Sequence, residues 1–291
     1  MNIRQFRVSR RSVTILTVLI GTVSLAIGAH AALYKRAAET TKAVAVSAAG
    51  DSVKGAAKLA LVIGNGHYPD ANAPLTQSIN DARALSAALR HDGFDVDMVE
   101  DAGKADLRQA VDRLKSKIRS DSTVMLFFAG YGVQAGRKSY MIPVDAAIWK
   151  ESDVRRDGTS IESVLEMMKQ RGARAKLVVV DASRRNPYER RFRSYSHGLA
   201  PINVPDNALI LSSATPGKVV DDVTGQNSLL VTELLNNLNS QATGAEAIFN
   251  KTRAAVSQAS AGQQVPSVAS SLLDDVHFRP EVQATTAKAG S

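Results

Sequence analysis

Leu177-Val178-Val179-Val180-Asp181-Ala182-Ser183 is an apolar, β-branched run that stops on a carboxylate and a hydroxyl. A run this short, apolar at every position rather than every second one, is the pattern of a strand covered on both faces, and such strands belong to parallel sheets. In an open α/β sheet, reactive side chains collect beyond the carboxyl ends of the strands. Asp181 and Ser183 are therefore expected at the mouth of the sheet.

The same texture recurs on either side of this run. Residues 59–63 are apolar and run into Gly64-Asn65-Gly66, a buried strand followed by a tight loop. Residues 80–91 carry Ala, Leu and Arg at helical spacing, and residues 94–99 read as a strand. Residues 106–119 form the next helix, striped by Leu107, Ala110, Val111, Leu114 and Ile118, and residues 123–128 form a strand. Further on, 140–143 is a short edge or hairpin element, 160–171 a helix, 176–180 a central strand and 208–212 another. Residues 228–238 read as a helix, as do 245–257, with Ile248, Ala255 and Val256 facing in. This alternation calls for an α/β fold with a mainly parallel sheet covered on both faces. One domain is expected over 58–279, with a disordered tail at 280–291.

The 291 residues include no cysteine and carry a formal charge of +8. Disulfides, thiolate catalysis and thiolate metal sites are excluded, so a covalent nucleophile has to be an oxygen or an amine. Arg4, Arg7, Arg10 and Arg11 precede residues 13–33, which contain no Asp, Glu, Lys or Arg and include Ala29-His30-Ala31. Residues 1–31 read as an export signal cut after Ala31. Left uncut, the same segment nearly spans a bilayer and anchors the chain in the inner membrane through residues 13–33. On both readings the folded part is exported or faces the periplasm. Residues 32–57, rich in Ala, Val, Ser, Thr and Lys, form a linker. Arg184, Arg185, Arg190, Arg191 and Arg193 crowd one stretch, with no aromatic platform or helix-turn-helix pattern beside it. No nucleic-acid partner is expected; the stretch is a solvated loop or a receptor for acidic segments of a partner.

Three loops, 64–68, 129–133 and 181–188, end strands and outline a cleft. In the second, Gly130-Tyr131-Gly132 turns tightly, and Gly132 leaves room for a ligand backbone. His67 in the first loop is expected at the same cleft. Ser183 is a hydrogen-bonding loop residue unless a base activates it, and Tyr131, with an ordinary pKa of roughly 10, accepts protons poorly. A serine-dependent peptidase or hydrolase needs His67 or His197 within about 3 Å of Ser183 and a third group to orient the ring. No zinc signature of paired histidines or cysteines is present. Asp145, Asp153, Asp157, Asp221 and Asp222 lack the spacing of an EF-hand loop, and no cofactor or metal is named.

Taken together, these stretches resemble the caspase-like peptidases of clan CD, family C14, in particular the bacterial orthocaspase and metacaspase branch. The resemblance rests on Leu61-Val62-Ile63-Gly64-Asn65 with Tyr68, on Asn80-Asp81-Ala82, on Phe128-Ala129-Gly130-Tyr131-Gly132-Val133-Gln134, and on Tyr140-Met141-Ile142-Pro143-Val144-Asp145. It continues through Val180-Asp181-Ala182-Ser183-Arg184 with Asn186-Pro187-Tyr188, Gly198-Leu199-Ala200, Ala214-Thr215-Pro216-Gly217-Lys218, Gln264-Val265-Pro266 and Ser271-Leu272. It implies a three-layer αβα sandwich around a mainly parallel central sheet.

The resemblance places histidine at position 131 and cysteine at 183, where this chain has Tyr131 and Ser183. Losing both makes the cysteine mechanism untenable and implies a pseudopeptidase that keeps recognition of peptide or protein partners. Relatives in the metacaspase branch cleave after Arg or Lys, and the resemblance assigns the pocket carboxylates to Asp81 and Asp181. A pair of carboxylates favours a guanidinium. The competing reading has Asp81 capping its own helix and Asp181 satisfying loop amides. Calcium enters only through the resemblance, as does an active caspase-like relative as partner. A monomer is expected.

Overall fold

Strands β1 (Lys58–Gly64), β3 (Thr123–Ala129) and β7 (Ala175–Asp181) are buried from end to end apart from Lys58, as strands with unbroken apolar centres have to be. In the computed structural model, residues 56–69, 74–184, 188, 199–220, 225–239 and 244–279 are described. The chain divides into units 1–55 and 56–291, and the sheet with its covering helices belongs to the second. The expected export segment 1–31, the linker 32–57 apart from residues 56 and 57, and the tail 280–291 lie outside the described residues.

Strand β2 (Asp95–Glu100) and strand β8 (Ala208–Ser212) flank the three buried strands, and β9 (Ser267–Ser270) closes the far edge. The order is β2-β1-β3-β7-β8-β9. Every pairing in this sheet is parallel except β8 with β9. Helices α1 (Thr76–His91), α5 (Leu229–Asn239) and α6 (Ala245–Ala259) cover one face, where Leu85, Leu89, Leu234 and Phe249 pack on Val62, Phe127 and Val179. Helices α2 (Lys104–Lys117) and α4 (Ile161–Gln170) cover the other, where Leu107, Leu114, Val164 and Met168 pack on Leu61, Leu126 and Val178. Successive strand residues point to opposite faces, so each strand feeds both cores. The result is the α/β three-layer sandwich with a mostly parallel central sheet.

The boundaries differ from the periodicity in places. Helix α1 begins at Thr76, four residues before the apolar spacing starts, because its polar first turn is held by tertiary contacts and Gln77 and Ser78 are buried. Helix α4 begins where Ser160 accepts a hydrogen bond from the Ser163 amide at 3.2 Å. Ile248 and Val256 on α6 are buried, while Ala255 is only half-buried. Residues 138–141 form β5 in an antiparallel hairpin with β4 (Gly132–Ala135), and β6 (Thr159–Ser160) extends it. The short helix α3 (Glu151–Asp157) and strand β9 carry no apolar periodicity, and the sequence pattern does not predict them.

Candidate functional site

The central pair of strands delivers two loops side by side. The register of β3 with β7 ends at Ala129 opposite Asp181, and the Gly130 amide donates to the Asp181 carbonyl at 3.3 Å. Tyr131 and Ser183 each lie two residues beyond that pair. Ser183 is buried and Tyr131 half-buried. The Ser183 carbonyl accepts the Val220 amide, which ties its loop to the segment after β8.

The loop after β1 supports Tyr131 from beneath. The Tyr68 hydroxyl accepts the Tyr131 amide at 3.0 Å and donates to the Ile142 carbonyl at 3.0 Å. The two rings meet edge to face with centroids 4.8 Å apart. Burial pushes the Tyr68 phenol well above its ordinary range, so it stays a neutral donor. Asn65, fully buried, donates to the Ala102 and Ile142 carbonyls and accepts the Ala102 amide.

Gly132 departs from the role its sequence context predicts. A Cβ on it would lie 2.8 Å from Leu199 Cδ2, 2.9 Å from Ala182 Cβ and 3.0 Å from the Ala182 carbonyl oxygen. Its bare face is filled by the chain itself, so the glycine packs loop on loop rather than leaving room for a ligand backbone.

His67 is drawn away from Ser183. Its Nδ1 lies 2.6 Å from Asp101 Oδ2, and Asp101 Oδ1 accepts the Gly66 and His67 amides at 2.8 and 2.9 Å. Burial raises the Asp101 carboxyl, but these two amides and the ring outweigh it and hold Asp101 below the usual carboxylate range. Asp101 follows β2, on the opposite side of β1 from β3 and β7, and the structure does not bring His67 to Ser183. His197 lies outside the described residues.

Asp81 and Asp181 do come together. Both are buried, and their charges repel across the site. Asp81 lies in the second turn of α1 and does not cap that helix; its Oδ1 instead accepts the Ser228 amide and Asn227 Nδ2, both at 2.9 Å, at the start of α5. Burial and the neighbouring Asp181 raise the Asp81 carboxyl to about 7 against the pull of those hydrogen bonds. Arg184, buried beside them, donates to the Asp181 carbonyl at 2.9 Å and lies 3.5 Å from Asp181 Oδ1. Asp81 Oδ2 and Asp181 Oδ2 are buried and have no hydrogen-bond partner among the described residues. Two buried acceptors of the same sign in one place call for a proton or a cation.

Sequence reasoning missed the clamp around Asp81. Gln77 Nε2 donates to the Gly225 carbonyl at 3.1 Å and Asn80 Nδ2 to the Gln226 carbonyl at 2.9 Å, so one face of α1 holds the backbone that leads into α5. The i, i+3, i+4 spacing of Gln77, Asn80 and Asp81 was the available signal. Among the described residues the calcium implied by the resemblance finds no donor set, and Asp221 and Asp222 lie outside them. Asp145 accepts the Lys104 amide, Asp153 the Trp149 and Lys150 amides, and Asp157 pairs with Lys104 and Arg156. No cluster of three or more histidines and carboxylates occurs among the described residues. A hollow of about 470 Å³ between α4 and residues 203–205 touches none of these site residues.

The three-layer α/β sandwich with its mostly parallel central sheet is consistent with a caspase-like fold. Residues 57–277 match the Caspase domain family (peptidase C14), and the chain belongs to that family. It is also similar to the human mucosa-associated lymphoid tissue lymphoma translocation protein 1, at 29% identity over 136 residues, covering 45% of this chain and 16% of that protein. The chain thus spans only a small part of that relative. With no cysteine at any position, it has lost the cysteine–histidine dyad on which the family's peptidase chemistry depends.

Proposed function

We propose that this chain is a catalytically inactive caspase-fold protein of the bacterial orthocaspase and metacaspase type. Tyr131 and Ser183 stand in the histidine and cysteine positions, and the former cleft binds a peptide or protein partner through an Arg or Lys side chain. The carrying observation is the Asp81–Asp181 pair, whose Oδ2 atoms have no partner among the described residues and suit the planar fork of a guanidinium. The partner is a basic segment of another protein, with an active caspase-like relative as one source. The domain acts as a monomer, exported or held at the inner membrane through residues 13–33.

Fluorescence anisotropy with labelled tetrapeptide amides ending in Arg, Lys or Glu tests this reading. Arg and Lys peptides bind and the Glu peptide does not; Asp81→Asn weakens Arg binding by about tenfold or more, the scale of a charged hydrogen bond. Equal binding of Arg and Glu peptides, or none of either, refutes it. The serine-hydrolase alternative requires fluorophosphonate labelling that disappears in Ser183→Ala. His67 is seated on Asp101, and His197, the other base this alternative allows, lies outside the described residues.

A further inference from the structure

Two carboxylates in one buried site cannot both keep their charge cheaply, and the described residues around them supply less than is needed to neutralise both. The groups facing the pair come from four places. Among the described residues, helix α1 contributes Asp81, strand β7 contributes Asp181, the turn after β7 contributes Arg184, and the lead into α5 contributes the uncharged Asn227 side chain and the Ser228 amide. Arg184 donates to the Asp181 carbonyl at 2.9 Å and pairs with the nearer Asp181 carboxylate oxygen at 3.5 Å. His67 belongs to Asp101 and the Tyr68 phenol is neutral, so neither adds charge. Among the described residues the site therefore holds one guanidinium for two carboxylates.

We propose that the Asp81–Asp181 site is a proton–cation exchange site: the ligand-free protein holds one proton on the pair, and an incoming guanidinium or ammonium takes that proton's place. This rests on the proposed basic-segment reading and adds its regulation. Ligand binding releases a proton, and acidification empties the site by refilling it with one. The pocket then releases its basic ligand as the medium turns acidic, while the ligand's own charge stays constant over the same range. The titration of Asp81 near neutrality agrees with this exchange.

The test uses the full-length protein with an acetylated tetrapeptide amide ending in Arg. Affinity falls by about tenfold or more between pH 8 and pH 5.5, and calorimetry at pH 6 in buffers of different ionisation enthalpy reads close to one proton released. Asp81→Asn keeps the oxygen that accepts from Ser228 and so keeps the fold; it binds weakly and with a flat pH profile. Carbon-13 carboxyl titration of the ligand-free protein places one coupled aspartate near neutrality. A constant affinity from pH 8 to 5.5 overturns exchange and leaves basic-segment binding intact, whereas no binding at any pH overturns both. An Asp81 signal that titrates in the ordinary carboxylate range overturns exchange whatever the ligand does.

Discussion

The Tyr131 amide rests on the Tyr68 hydroxyl at 3.0 Å while their rings cross edge to face, so the loop that ends β3 is positioned by the loop that ends β1. That single phenol also reaches the Ile142 carbonyl at 3.0 Å, joining the hairpin to the same support.

Tyr68→Phe takes the hydroxyl acceptor from the Tyr131 amide and leaves the Ile142 carbonyl with Asn65 alone. A loss of about 1–3 kcal/mol is expected in urea denaturation, with faster hydrogen exchange at the Tyr131 amide. A variant as stable as the parent would show that the phenol is not the support.

Gly132→Ala sets a methyl against the Ala182 carbonyl, which cannot swing aside as a long side chain would. Overpacking here is expected to cost about 1–3 kcal/mol. The midpoint of chemical unfolding reads it directly.

The buried Asp81 carboxyl makes stability depend on pH in an unusual direction. Its folded value of about 7 lies above the unfolded one, so the folded state keeps a proton that the unfolded chain releases between about pH 4 and 7. Asp81 costs nothing below that window, progressively more across it, and a constant amount above it. Asp81→Asn is expected to flatten this slope and to stabilise the protein by on the order of 2–4 kcal/mol at pH 8. Asp101 and Asp157, both held below the ordinary range, act in the opposite sense and withdraw their contribution only as pH falls below about 4. Denaturation midpoints measured from pH 3 to 8 separate the two effects.

Tyr131→His combined with Ser183→Cys rebuilds the family's dyad on loops that already lie next to one another. Cleavage of a fluorogenic substrate after Arg is expected from the double variant and from neither single one. Failure of a well-folded double variant would mean that the donors for the oxyanion have gone as well.

Much of the fold was legible because the strands are buried on both faces. Such strands have to carry unbroken apolar runs, and that texture reads directly in residues 59–63, 124–128 and 177–180. Strand β9 escaped because it is a short edge strand of Ser, Val and Ala, and helix α3 because it is seven mostly charged residues. The carboxylate pair followed from a resemblance, not from periodicity. The two misread residues share a cause: a glycine's empty side and a histidine's partner depend on neighbours distant in sequence. Leu199 and Ala182 fill the space beside Gly132, and Asp101, 34 residues on, claims His67.

The clamp on residues 225–226 has a further effect. Gln77 and Asn80 grip main-chain carbonyl oxygens there, which every amino acid possesses, so the grip specifies where the segment runs and is indifferent to which side chains it displays. Gln226 is exposed and can be exchanged for nearly any residue while its oxygen stays in place. The rim beside the carboxylates is thus a fixed mount with interchangeable fittings, on which new selectivity can be installed without rebuilding the frame.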